Sequence, residues 1–130
     1  MSAAAFALAA AGAAHACGES LGGARTTIEG GKYTVAYATS PAPVVVGAHF
    51  RVDFAVCAKP GAPAPQAVRV DATMPEHRHG MNYRATVSSP RPGAWRAEGL
   101  LFHMPGRWDL TFDVVAGGAA QRLTSTMIVE

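Results

Sequence analysis

The sequence predicts an all-β domain, an immunoglobulin-like antiparallel β-sandwich of about seven strands. Three observations carry this. Apolar and polar residues alternate over His49–Cys57 and again over Arg107–Val115, the period of a half-buried strand. Clusters of Gly, Pro, Ser and Asn recur at roughly the 8–12-residue spacing of short strands. Beyond Arg25 no stretch shows helical periodicity.

Taken in order, Lys32–Tyr37 is a short alternating run. Next, His49–Cys57 sets Phe50, Val52, Phe54 and Val56 on one face and Arg51 and Asp53 on the other. Pro60–Pro65 is a loop by its Pro and Gly content. Val68, Val70 and Ala72 then face inward against Arg69, Asp71 and Thr73, and Arg84–Ser88 reads as a short edge strand before the Ser89–Gly93 turn. Trp95–Phe102 follows, and Met104-Pro105-Gly106 turns the chain into Arg107–Val115. In that run Trp108, Leu110, Phe112 and Val114 share the inner face. Gly117-Gly118 closes a hairpin into Gln121–Val129, where Met127 alternates with Leu123 and Val129 and reads as core.

At 130 residues, with 49% hydrophobic and 15% charged, the chain is sized for one domain with a genuine core. The formal charge of +2 is spread rather than blocked, which excludes a nucleic-acid-binding surface. Ten of the first sixteen residues are Ala, so residues 1–16 are read as an export signal and 17–130 as the domain. Ala3–Ala14 is uncharged and too short for the roughly 20 residues of a spanning helix. Ala14-His15-Ala16 offers small residues for cleavage before Cys17, although no Lys or Arg precedes Arg25. The competing reading, an Ala-rich helix of the domain itself, lacks an amphipathic stripe. The expected location is periplasmic or otherwise extracytoplasmic, with no stable membrane span. Only the segment just after Cys17 is expected to lack order.

Export places Cys17 and Cys57 in an oxidising compartment, where a pair is usually a disulfide. The alternative, lipidation of Cys17, is disfavoured by Ala14, which stands where such a signal carries Leu.

Candidate chemistry gathers in two stretches, Met74-Pro75-Glu76-His77-Arg78-His79-Gly80-Met81 and Phe102-His103-Met104-Pro105. Alternate residues of an extended segment share a side, so His77, His79 and Met81 can point one way. Both stretches end strands, which would bring His103 beside them. Imidazole with thioether suits copper, zinc more often recruits Cys or carboxylate, and a hard cation needs several oxygens. Without a cysteine in the cluster, a blue-copper centre is excluded. Met74 reads equally as core filler by parity with Ala72, and Met104 equally as turn packing. His49 is read as a surface residue far from both stretches. Trp95 and Trp108 are read as core aromatics, either of which could shield a metal. No nucleophile elbow, phosphate loop or dinucleotide fingerprint occurs, so the reading is not an enzyme. Cleavage after Ala14 would make His15 an amino-terminal copper ligand; cleavage before Cys17 deletes it. The alternative function is a metal-free immunoglobulin-like protein-interaction module.

The blocks Met74–Met81 and Glu98–Leu110 make the chain similar to the YtkA-like and FixH-like group of small exported β-sandwich domains, met among bacterial copper-handling and respiratory-oxidase accessory proteins. The likeness spans roughly Lys32–Val129. It implies an immunoglobulin-like sandwich outside the cytoplasm that binds a copper ion. Its expected protein partner is another copper protein or an oxidase assembly factor. Membrane-anchored FixH-like members carry a spanning helix that this sequence lacks.

Overall fold

The structure is a computed structural model that describes residues 15–130. The export-signal expectation therefore lies outside the described residues, apart from His15 and Ala16. Nine strands follow a 3-10 turn over Glu19–Leu21: β1 Thr26–Glu29, β2 Tyr33–Ser40, β3 His49–Ala58, β4 Ala67–Met74, β5 His79–Gly80, β6 Thr86–Arg91, β7 Ala94–Leu101, β8 Gly106–Ala116 and β9 Ala119–Val129. They form two antiparallel sheets, one ordered β1-β2-β3-β7-β6 and the other β5-β4-β8-β9. The predicted sandwich is present.

Alternation decides which residues meet between the sheets. Phe50, Val52, Phe54 and Val56 of β3 are buried, as are Trp108, Leu110, Phe112 and Val114 of β8. Phe112 sits at the centre, its ring 5.5 Å from Tyr37 and 5.1 Å from Phe54 of the opposite sheet. Each such side chain contributes about 1.5–3 kcal/mol on burial. Trp95 is only half-buried, stacked on Phe54 at 6.2 Å, and closes the side of the sandwich rather than its centre. Met127 is half-buried against the core.

Two strands escape the sequence pattern. β1 (Thr-Thr-Ile-Glu) is mostly exposed and held by its pairing with β2, Thr26 opposite Tyr37 through Glu29 opposite Thr34. β5 is two residues long, too short for any period to show.

Cys17 and Cys57 are bonded, with Cα atoms 5.9 Å apart, within the usual span of a disulfide. The bridge pins the start of the domain onto the outer face of the five-stranded sheet. There Gly18, at φ 70°, lies so close that a Cβ would fall 2.5 Å from Ala36 Cβ. Ala36 is on the outer face and yet fully buried, because this segment covers it. The segment after Cys17, expected to lack order, is thus an ordered turn, since the cross-link and the contact with Ala36 offset the entropy its composition would otherwise keep.

On the outer face of the second sheet, Arg122 donates two hydrogen bonds to Asp113 at 2.7 and 3.0 Å. This charge-assisted fork holds the Asp113 carboxyl below its usual range. Because the folded-state value is the lower one, the stabilisation is complete above the ordinary aspartate value of about 3.9 and is lost as pH falls through the depressed value. We predict that Asp113→Asn is less stable than wild type at neutral pH and that the difference narrows at acid pH, below the ordinary aspartate range, as the carboxylate takes up its proton. Urea unfolding at the two pH values checks this, and a constant difference between the proteins would refute it.

Candidate metal centre

β4 ends at Met74, and Pro75 presets the backbone of the loop that follows. The His77 N–H bonds the Met74 carbonyl at 3.1 Å and the Arg78 N–H bonds that of Pro75 at 3.4 Å. Arg78 adopts a left-handed φ of 55°, a conformation that costs a residue with a Cβ about 1–2 kcal/mol. The chain then returns as β5, with His79 opposite Met74 and Gly80 opposite Thr73. The hairpin therefore sets His77 in an exposed loop and His79, half-buried, at the sheet edge.

The second stretch leaves β7 after Leu101. Phe102 turns inward and is fully buried, and His103 points outward. Gly106 opens β8 at φ 133°, where a Cβ would stand 2.7 Å from Met74 Cε. Glycine is favoured here by the positive φ, and a Cβ would in addition have to displace the Met74 methyl beneath it.

Trp108 joins the two stretches. Its indole is fully buried and stacked on Phe102, ring centroids 4.5 Å apart and planes 10° apart. Its Nε1–H donates to the Met104 carbonyl at 3.0 Å, fixing the turn against β8. Two imidazoles pack edge-on against the same indole, His79 at 5.9 Å and His103 at 5.5 Å. The His79 and His103 rings are 5.0 Å apart, and those of His77 and His79 are 5.7 Å apart. Imidazoles sharing one ion at about 2.0–2.1 Å from nitrogen have centroids about 5–5.5 Å apart at tetrahedral or trigonal angles. Both neighbouring pairs are therefore at or near the spacing of joint ligation. His79 Nδ1 lies 3.1 Å from the Gly80 carbonyl; a proton held there leaves the Nε2 lone pair for a metal.

The other candidates are distributed differently. Met74 is fully buried and belongs to the core. Met81 and Met104 are half-buried and pack against that core. Among the described residues no three His, Cys, Asp or Glu side chains stand as a ready-made metal site, so ligation by all three histidines requires rotation of the exposed His77 and His103. His49 was expected far from both stretches. The fold instead brings it to the same end, opposite Leu101 in register. There its ring meets Tyr83 edge-on at 5.0 Å and its Nδ1 approaches the Leu100 carbonyl at 3.3 Å. Tyr83, half-exposed, carries no motif that would have singled it out. His15 is exposed, with Nδ1 2.8 Å from Glu19.

Among the described residues no helix is long and apolar enough to cross a membrane. Comparisons with family models, with curated proteins and with solved structures find no match for this chain, so the reading of this end of the sandwich rests on its own residues.

Proposed function

We propose that the chain is an exported copper-binding protein that sequesters the metal or hands it on, with His77, His79 and His103 as nitrogen ligands and Met81 as the sulfur ligand. The observation that carries this is the gathering of imidazoles from two separate stretches: His79 and His103 share the rim of one buried indole, and His77 stands 5.7 Å from His79. A polar rim with no ligand to hold gains nothing from bringing like, protonatable rings together. Copper is favoured because Met81 and Met104 neighbour the histidines in sequence, offering thioether beside imidazole, and both cysteines are engaged in the disulfide, which removes the thiolate that zinc would recruit. Met74 stays in the core; Met104, next to His103 in sequence, is a second thioether. The disulfide supports an oxidising compartment. A copper protein or an oxidase assembly factor, as the YtkA-like resemblance implies, is the proposed recipient.

The test is titration of the protein with Cu(I) and Cu(II) against competing chelators. Saturable binding in at least one state is expected, with quenching of the fluorescence of Trp108. His103→Ala is expected to weaken it by at least the roughly 10–100-fold that loss of a ligand's outer partner already brings, with the fold intact. Binding no tighter than nonspecific in both states would eliminate the proposal and leave the metal-free interaction module. Unchanged affinity in His103→Ala would confine the site to the Met74–Met81 stretch.

A further inference from the structure

Natural sheets protect their edges, and three of the four edges here are protected. β1 has only four residues. β6 carries Pro90 and an irregular register between Ser88 and Arg91. β4 is covered at its end by β5, and farther along the Asp71 carboxylate accepts the Ala72 N–H at 2.8 Å. Among the described residues β9 has none of these devices. It runs eleven residues in unbroken register with β8 and contains no Pro or Gly.

The two-residue turn Gly117-Gly118 makes Ala116 and Ala119 a hydrogen-bonded pair. The odd-numbered residues of β9 therefore bond to β8. The N–H and C=O of Arg122, Thr124, Thr126 and Ile128 face outward, with no backbone partner among the described residues. Their side chains lie on the exposed face, and Ile128, 71% exposed, is the most exposed of the large apolar residues described.

We infer that β9 pairs with β9 of a second copy, antiparallel about Thr126, joining two four-stranded sheets into one. The occupant follows from self-complementarity. Pairing about Thr126 sets outward-facing amides against outward-facing amides, as an antiparallel ladder requires. It sets Thr124 opposite the partner's Ile128, a cross-strand β-branched pair. It also sets Arg122 opposite the partner's Glu130, twice by symmetry, where Nη1 of Arg122 is left to meet it while Nε and Nη2 hold Asp113. Glu130 is exposed and has no ion-pair partner among the described residues. On the inner side, Leu123 faces the partner's Val129. The incoming strand also closes the mouth of the groove between Met127 and Tyr37. A strand of unrelated sequence would gain the backbone bonds without the matched charges.

Sedimentation of the full chain over a concentration series tests this. A reversible dimer is expected. The Thr126 N–H makes no bond to β8, so Thr126→Pro removes an edge donor while the β8–β9 ladder stays intact, and it should weaken the dimer at least ~100-fold. Ile128→Lys, which puts a charge on the edge, should weaken it at least ~10-fold and decides the matter if the proline variant does not fold. A chain that stays monomeric at about 1 mM, a concentration at which even weak specific pairing is populated, would overturn the inference. So would a dimer indifferent to both substitutions.

Discussion

Cys57→Ala lowers the stability of the domain by about 3–4 kcal/mol, and Cys17→Ala by the same amount. The bond joins positions 40 apart in sequence, for which loss of loop-closure entropy in the unfolded chain amounts to about 4 kcal/mol. Part of that is returned in the folded variant, because the segment carrying Gly18 and the Glu19–Leu21 turn is freed from Ala36 and regains conformational entropy. Against a total of about 5–15 kcal/mol for an ordinary domain, the loss is large enough to lower the melting temperature by about 10–15 °C. The double variant should lose no more than either single one, since both remove one cross-link. Urea unfolding of the three proteins checks both statements. A loss under about 1 kcal/mol would mean that the bridge only tacks down a loose end.

The core was legible because β3 and β8 obey strict alternation: Phe50 to Val56 and Trp108 to Val114 are inward in the sequence pattern and buried in the fold. Length was the limit for the rest. A two-residue strand such as β5 has no period, and β1, with three exposed residues of four, is held by backbone pairing rather than by an apolar face. The segment after Cys17 reads as disordered because what orders it, a bond to Cys57 and a seat on Ala36, comes from residues distant in sequence. A single composition window cannot contain a cross-link.

The candidate site shows the same division. Parity within one strand already pointed Met74 inward with Ala72, and the fold has it there, beneath Gly106. The approach of His103 to His79 follows from each stretch ending a strand at the same end of the sandwich. What sequence could not supply is the common floor. Trp108 is one inward residue of β8 among four, and only the three-dimensional fold reveals that its buried indole bears Phe102 on its face and His79 and His103 at its edge. His49 was assigned elsewhere because separation along the chain says nothing about the end at which an antiparallel strand starts.

Trp108→Ala is expected to cost about 3–5 kcal/mol, the range for emptying a fully buried aromatic site, and to disorganise the histidine end beyond that loss. Three contacts disappear together: the stack on Phe102, the hydrogen bond to the Met104 carbonyl, and the edge on which both imidazoles rest. The Phe102–Gly106 turn is then tied to β8 only through the chain itself, so His103 no longer keeps its 5.0 Å approach to His79. Trp108→Phe separates packing from hydrogen bonding. A phenyl ring keeps a stack on Phe102 and an apolar floor but leaves the Met104 carbonyl without its donor, at a cost of about 1–3 kcal/mol. Denaturant unfolding measures both losses, and the ring proton shifts of His79 and His103 report whether the pair still sits on an aromatic edge. Under the copper proposal, Trp108→Phe keeps the affinity within a few fold of wild type, whereas Trp108→Ala loses at least ~10-fold, a consequence of ligands that are no longer held in place. If Trp108→Ala unfolds no more readily than wild type, or leaves the histidine shifts unmoved, the indole is not what assembles this end of the sandwich.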